Sequence, residues 1–321
     1  MDLVTGGAGF IGSHLVDELL RRGRSVRVLD DFSTGKRENL AGAWHRVDVL
    51  EGDILDPPTV AAAMGGVERV FHQAALRSVP RSVDDPVGSN RVNVEGTLNV
   101  LRAARDAGVR IAVCASSSSV YGEQHVLPLR EDAVPAPLSP YAVSKLAGEH
   151  YCRVFSRLYG LPTVSLRYFN VFGPRQDPQS QYAAVVPMFL RAALTGESLE
   201  IHGDGFQSRD FTYVDNVVLA NCLAAEVPEA AGQPVNVGCG HQYSLMDIVE
   251  LLGKILREER RSLRWHHTPS RPGDVRHTRA DISRAATLLG YEVKVGFEQG
   301  LRATLETLRG SERPLSMVAA R

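Results

Sequence analysis

Three glycines spaced three apart, Gly6, Gly9 and Gly12, fall between a short apolar run at Asp2–Thr5 and a stretch whose apolar residues Ile11, Leu15, Val16, Leu19 and Leu20 share one helical face. A strand that passes through such a turn into a helix constrains the chain strongly. Gly6 permits the tight turn, Gly9 lets backbone approach a pyrophosphate, and Gly12 lets helix and strand pack closely. The amides at the helix start, beginning with Phe10 and Ile11, then face the phosphates with partial positive charge. The next strand, Ser25–Leu29, ends in Asp30, 18 residues beyond Gly12, where an acid accepts the ribose hydroxyls of a dinucleotide. A 2′-phosphate would meet that charge, and the following residue is Asp31 and not an arginine, so the pattern favours NAD. Asp53, with Ile54 after it, follows a third strand. It either contacts the adenine or caps the next helix.

Strand-like runs at Arg46–Leu50, Arg69–Gln73, Ile111–Ala115 and Pro162–Leu166 alternate with helical stretches at Pro57–Met64, Asn90–Ala107 and Tyr141–Tyr159. That alternation predicts an α/β fold, a Rossmann-type doubly wound parallel sheet. After about Tyr168 the texture turns to Gly/Pro-rich loops with helices at Val185–Leu194 and Leu245–Leu256. The expected division is a cofactor-binding domain over residues 1–170, with chain returning near 214–238, and a smaller C-terminal α/β substrate-binding region over 171–213 and 239–321. A net charge of −1 gives no general pull toward nucleic acid or an anionic membrane. Any anionic ligand therefore needs a local site. Four scattered cysteines form no disulfide framework, the histidines have no metal-ligand spacing, and no run of about 18 apolar residues occurs. With no basic leader before the first strand, the expectation is a soluble cytoplasmic protein without metal.

The most informative heptad is Ser139-Pro140-Tyr141-Ala142-Val143-Ser144-Lys145. Ser139 is a good N-cap and Pro140 a natural first helical residue. Tyr141 then lies in the first turn, with Lys145 one turn on along the same face. An ammonium and a helix N-terminus beside a phenol favour the phenolate, which would draw Tyr141 down from its ordinary value toward working pH.

Taken in order, Gly6/Gly9/Gly12, Ser116-Ser117-Ser118-Ser119-Val120-Tyr121-Gly122, Tyr141/Lys145 and Arg167-Tyr168-Phe169-Asn170 resemble the extended short-chain dehydrogenase/reductase family, specifically its nucleotide-sugar epimerases. The resemblance implies an NAD-dependent enzyme that inverts C4 of a UDP-hexose (glucose/galactose and N-acetylated forms) through a 4-keto intermediate. Tyr141 would be the base, Lys145 would also bind the nicotinamide ribose, and Ser117 would bond the substrate hydroxyl. Ala74, Ala75 and Tyr168 would lie at the cofactor, and Ser78, Ser118 and Ser119 at the sugar. Asn170, Arg209 and Arg271 would hold the diphosphate, Asp274 a ribose hydroxyl, and Ala184 and Val185 the nucleobase. Thr278 stands where the family limits room at C2 of the sugar, and threonine is small enough to admit an N-acetyl group. The resemblance also implies a homodimer formed by the helix starting at Tyr141 and its neighbour near Asn90–Ala107.

Two features leave alternatives open. Arg77 follows Ala74-Ala75 in a loop expected to face the sugar. Pointing inward it would pair with a uronate, and pointing outward it is an ordinary solvated arginine. Other reactions on the same scaffold, nucleotide-sugar dehydration or decarboxylation, use an acid just after the active-site Ser/Thr, and this chain has Ser118 and Ser119 there. A non-catalytic NAD sensor would lack Tyr141 or Lys145, and both are present.

Overall fold

The computed structural model describes residues 1–177, 184–258, 260, 262–269 and 275–312. In chain order, β1 (Asp2–Thr5), α1 (Phe10–Arg21), β2 (Val26–Asp30), β3 (Asp48–Glu51), α2 (Pro57–Ala63) and β4 (Arg69–His72) come first. Then α3 (Val79–Asp84) and α4 (Pro86–Asn90) lead through a π-helical turn over 91–96 into α5 (Thr97–Asp106), β5 (Ile111–Ser117), α6 (Pro140–Leu158) and β6 (Thr163–Tyr168). The remainder runs β7 (Val171–Phe172), α7 (Val185–Thr195), β8 (Leu199–His202), β9 (Ser208–Arg209), β10 (Thr212–Tyr213), α8 (Val214–Ala224), β11 (Pro234–Val237), β12 (Tyr243–Ser244), α9 (Leu245–Glu258), β13 (Trp265–Thr268), α10 (Ser283–Leu289) and α11 (Phe297–Glu312).

Seven parallel strands make one sheet in the order β3-β2-β1-β4-β5-β6-β11. Helices cover both faces, the arrangement a parallel sheet requires because neither face can stay wet. On one face Leu15, Val16 and Leu19 of α1 pack with Val217 and Val218 of α8. On the other, Val60 of α2, Val100 and Leu101 of α5, and Cys152 and Phe155 of α6 close a second cluster. The order reverses between β1 and β4, so the loops after these two strands part and leave a crevice at the carboxyl edge of the sheet.

The later elements form two-stranded pieces, β7 with β10, β9 with β12 and β8 with β13. Phe172, Phe211 and Tyr243 gather around Phe297 of α11, and Tyr213 packs edge-on against Phe172. These rings belong to the same apolar cluster as α1 and the sheet, so the later elements sit on the main core and not on a separate one.

The expected single helix over Asn90–Ala107 is broken into α4, the π-helical turn and α5. A π turn inserts an extra residue into the helical ladder and re-aims side chains. Here Asn93 becomes buried, and Gly96 lies against Ile54, where an added Cβ would meet Ile54 Cδ1 at 2.5 Å.

Gly12 is the closest-fitted glycine of the opening turn: an added Cβ would stand 2.1 Å from the Gly6 carbonyl oxygen. Backbone cannot yield as a flexible side chain can. Gly12→Ala should therefore cost about 3 kcal/mol, seen as a lower urea midpoint, and an unchanged midpoint would refute the packing role.

Candidate active site

The glycine turn presses against the loop after β4. Gly6 has φ +68°, and an added Cβ would lie 2.7 Å from the Ala74 amide nitrogen, so only glycine fits between the β1 and β4 loops. Ala74 in turn donates its amide to Thr5 Oγ1 at 3.3 Å, and Ala75 follows half-buried. Phe10 and Ile11 open α1, with Phe10 edge-on to the His14 ring. Asp30, buried at the end of β2, accepts from the amides of Ala8 at 2.8 Å and Phe32 at 2.9 Å. Burial raises its pKa and the two amides oppose that. Each oxygen keeps a second acceptor site, so the residue suits a diol and not a phosphate. The nearby Arg37 stacks over Phe32 and pairs with Glu51. Asp31 bends back onto Ser33.

The helix-cap alternative for Asp53 is corrected: α2 is capped by Asp56, which accepts from Thr59 N, while Asp53 accepts from Leu55 N in a local turn. The Ile54 side chain is buried, and its carbonyl accepts from Asn99. The Tyr168 side chain is also buried, its hydroxyl joined to Gln73 and Asn221 at 3.1 Å each.

The helix carrying the Tyr/Lys pair forms as its sequence predicts. Ser139 Oγ accepts from Ala142 N at 3.2 Å and Pro140 occupies the first turn. Tyr141 faces the end of β5, close enough to the Ser117 hydroxyl for it to lower the phenol's pKa. The expected electrostatics differ. Burial raises the Tyr141 pKa, with the Ser117 bond and the Arg77 charge opposing it. Lys145 instead turns Nζ to the Ala115 carbonyl at 2.9 Å, and burial lowers its pKa to about 8. The reason is geometric: one helical turn brings the two side chains to the same face, but the ammonium finds a carbonyl on the strand below. Ser118 and Ser119 form a 3₁₀ turn, in which Ser119 donates from N at 3.2 Å and from Oγ at 2.9 Å to Ser117 Oγ.

Two further buried residues lie close by. His72, at the end of β4, bonds Thr5 Oγ1 at 2.7 Å and Thr97 Oγ1 at 2.9 Å, and burial drives its pKa down to about 3, so it stays neutral. Asn93 clamps the loop after β4: its Oδ1 accepts from Leu76 N at 2.8 Å, and its Nδ2 donates to Leu76 O and Ser144 Oγ, each at 3.0 Å. Ser144 Oγ donates onward to the Tyr141 carbonyl at 2.8 Å. Only the π turn aims Asn93 this way, and no sequence periodicity announces it.

That clamp sets the residue after Leu76. Arg77 is exposed, while nearby protein lowers its pKa, with the charges of Tyr141 and Asp177 opposing. Ser78 has φ +109° and caps α3 by accepting from Arg81 N. Asn170 has φ +25°, and its carbonyl accepts from Thr212 N. Arg209 donates from Nη1 to the Ser208 and Arg276 carbonyls. Thr278 is buried, with its amide on Ser208 O and its Oγ1 unbonded among the described residues. Ala184 is exposed and Val185 begins α7. Arg271 and Asp274 lie outside the described residues.

Residues 3–238 match the NAD dependent epimerase/dehydratase family. A UDP-glucose 4-epimerase of Mycolicibacterium smegmatis is 42% identical over 316 residues, covering 97% of this chain and 99% of that protein. The crystal structure of a UDP-glucose 4-epimerase with UDP-glucose from Thermotoga maritima matches at TM-score 0.91 and 39% identity, covering 98% of this chain and 100% of that one. A UDP-glucuronic acid 4-epimerase from Bacillus cereus, in complex with UDP-glucuronic acid and NAD, matches at TM-score 0.88 and 35% identity, covering 97% and 99%.

Proposed function

This chain belongs to the NAD-dependent epimerase/dehydratase family, and within it we propose that it inverts C4 of a UDP-hexose, with NAD as cofactor. One observation carries the reading: Tyr141 on α6, beside Ser117 and with Lys145 one turn below, stands at the edge of a sheet whose strand order opens a crevice beside the glycine turn. Bound NAD would take hydride from C4 and give it back. The glycine turn leaves room for its pyrophosphate, and Asp30 has acceptor sites for its ribose.

Tyr141 takes the C4-hydroxyl proton as the 4-keto sugar forms and returns it once the sugar has presented its other face. Ser117 orders that hydroxyl. Burial opposes the phenolate, so neighbouring positive charge has to favour it, and Arg77 is the group whose charge acts on Tyr141. Elimination would need an acid after Ser117. Ser118 and Ser119 stand there, and Glu149 is turned to Ser116 and Arg167. Arg209, with Asn170 and the Arg271/Asp274 segment, would grip the diphosphate, since guanidinium forks match phosphate oxygens. Thr278 would leave room for an N-acetyl group at C2.

Arg77 supports a second reading. Its charge acts on Tyr141, and turned toward the sugar it would pair with the carboxylate of a UDP-uronate. We also propose a homodimer. Val143, Val154 and Leu158 leave an apolar stripe exposed along α6, next to exposed Val83 and Val87, and a second copy would cover it. The four cysteines are buried and unjoined, which supports a reducing, cytoplasmic setting.

Incubated with UDP-glucose, UDP-N-acetylglucosamine and UDP-glucuronate, the protein should yield only C4 epimers; a stable keto-sugar would point to dehydration instead. Tyr141→Phe should lower kcat by at least about 100-fold with NAD still bound, and full activity in that variant refutes the assignment. Arg77→Ala should harm UDP-glucuronate turnover more than UDP-glucose turnover, whereas equal losses exclude the uronate reading. Sedimentation should give a dimer that Val154→Arg converts to monomer; a monomeric wild type disproves the pairing.

A further inference from the structure

The face of α6 that bears Tyr141 and Lys145 has a third member. Tyr141, Lys145 and Glu149 are spaced four residues apart, so they stack one turn above another. Each meets the end of β5: Tyr141 lies close enough to the Ser117 hydroxyl for it to lower the phenol's pKa, Lys145 Nζ bonds the Ala115 carbonyl at 2.9 Å, and Glu149 Oε1 accepts from Ser116 Oγ at 2.5 Å. Three consecutive strand residues thus face three successive turns of one helix, and two of them are bonded to it. Glu149 is itself fixed from β6, where Arg167 donates to both its oxygens at 2.8 and 2.7 Å, and both side chains are buried.

We infer that Glu149 is a positioning residue for the reaction: by gripping Ser116 it locks the end of β5, and so fixes both the Ser117 hydroxyl and the carbonyl that seats Lys145. The inference rests on the proposed roles of Tyr141, Ser117 and Lys145.

Ser116 lies between the residues that the chemistry uses on either side. If its side chain were released, Ala115 and Ser117 would keep their sequence but not their aim, and misplacement of reacting groups by a fraction of an ångström is costly. The fork from Arg167 keeps the carboxylate from swinging, since a bidentate pair fixes direction as well as distance.

Glu149 also carries the nearest compensating charge on the same helix face. The titratable groups around Lys145 are His72 from β4, Cys114 from β5, and Tyr141, Cys152 and Glu149 from α6, with Arg167 of β6 behind Glu149. Burial lowers the Lys145 pKa, and Cys114, Cys152 and Glu149 in that order oppose it; His72 is neutral, and Glu149 is the one carboxylate among the three. It also forms part of the wall between two spaces, a cavity of about 10 Å³ beside Lys145 and a cleft of about 320 Å³ behind α6, both of which it lines. The sign follows: burial disfavours charged Lys145, Glu149 favours it, and loss of the carboxylate leaves Arg167 opposing it. Lys145 should then give up its proton at lower pH.

The sequence has four lysines, Lys36, Lys145, Lys254 and Lys294, so ¹³C-lysine NMR of the protein as purified can follow each one, with Lys145 identified by its absence in Lys145→Met. The wild-type Lys145 midpoint should fall well below the ordinary lysine value, and E149Q should lower it further by about one pH unit. S116A leaves the Glu149–Arg167 pair intact and should lower kcat roughly tenfold with KM and bound NAD unchanged. An unmoved Lys145 midpoint in folded E149Q, or wild-type kcat in folded S116A, overturns the inference. If Arg167 left unpaired prevents E149Q from folding, E149Q/R167M removes both charges and should match the kcat loss of S116A; wild-type kcat there is equally fatal. The NMR midpoints need no substrate, so a wild type that fails to interconvert UDP-sugars defeats the proposed reaction without deciding the role of Glu149.

Discussion

The reversal of strand order between β1 and β4 governs the rest of this molecule. Chain leaving β1 turns toward one side and chain leaving β4 toward the other, so a crevice opens at the carboxyl edge where their loops separate. The two loops still meet at one point, where Gly6 lies against the Ala74 backbone. A side chain at Gly6 would force them apart, and with them the first turn of α1 and the segment bearing Arg77. The glycine turn, Asp30, the end of β5 and the start of α6 all reach this crevice because the strands are parallel and share a carboxyl end.

Within the crevice, burial and charge work against each other. Tyr141 is shielded, which makes a phenolate harder to form, and Lys145 is shielded, which makes an ammonium harder to keep. Neither side chain is tuned by the other alone. Ser117 and Arg77 act on Tyr141, while the Ala115 carbonyl and the Glu149 carboxylate act on Lys145. A low-dielectric site strengthens each of these contacts, so small changes in the loop after β4 or at the end of β5 should be felt directly in the chemistry.

The C-terminal elements are held to the sheet by continuity of the core. Phe297 of α11 collects rings from β7, β12 and the Phe211 segment, Tyr213 of β10 packs on Phe172, and that cluster runs without a break into α1 and α8. Asp210 is buried at the join and accepts from the amides of Cys239, Gly240 and Ala280. Those three amides bring together segments far apart in sequence, and Thr278 and Arg209 lie beside them.

The sequence by itself determined the parallel α/β fold, the glycine turn, the acid ending β2 and the capped helix that carries Tyr141 and Lys145, because each is written in local periodicity, turn chemistry or capping over a few residues. Tertiary structure alone decided what those residues touch. Lys145 reaches Ala115 and not the phenol, and Asp56 and not Asp53 caps α2. Asn93 is turned inward by a π turn that has no periodic signature. The serine run offered four similar hydroxyls, and only the seating of α6 on β5 distinguishes Ser117, beside Tyr141, from Ser116, bonded to Glu149. Spacing along a helix fixes which residues share a face. The partner that face meets depends on a strand some thirty residues away, and only packing brings the two together.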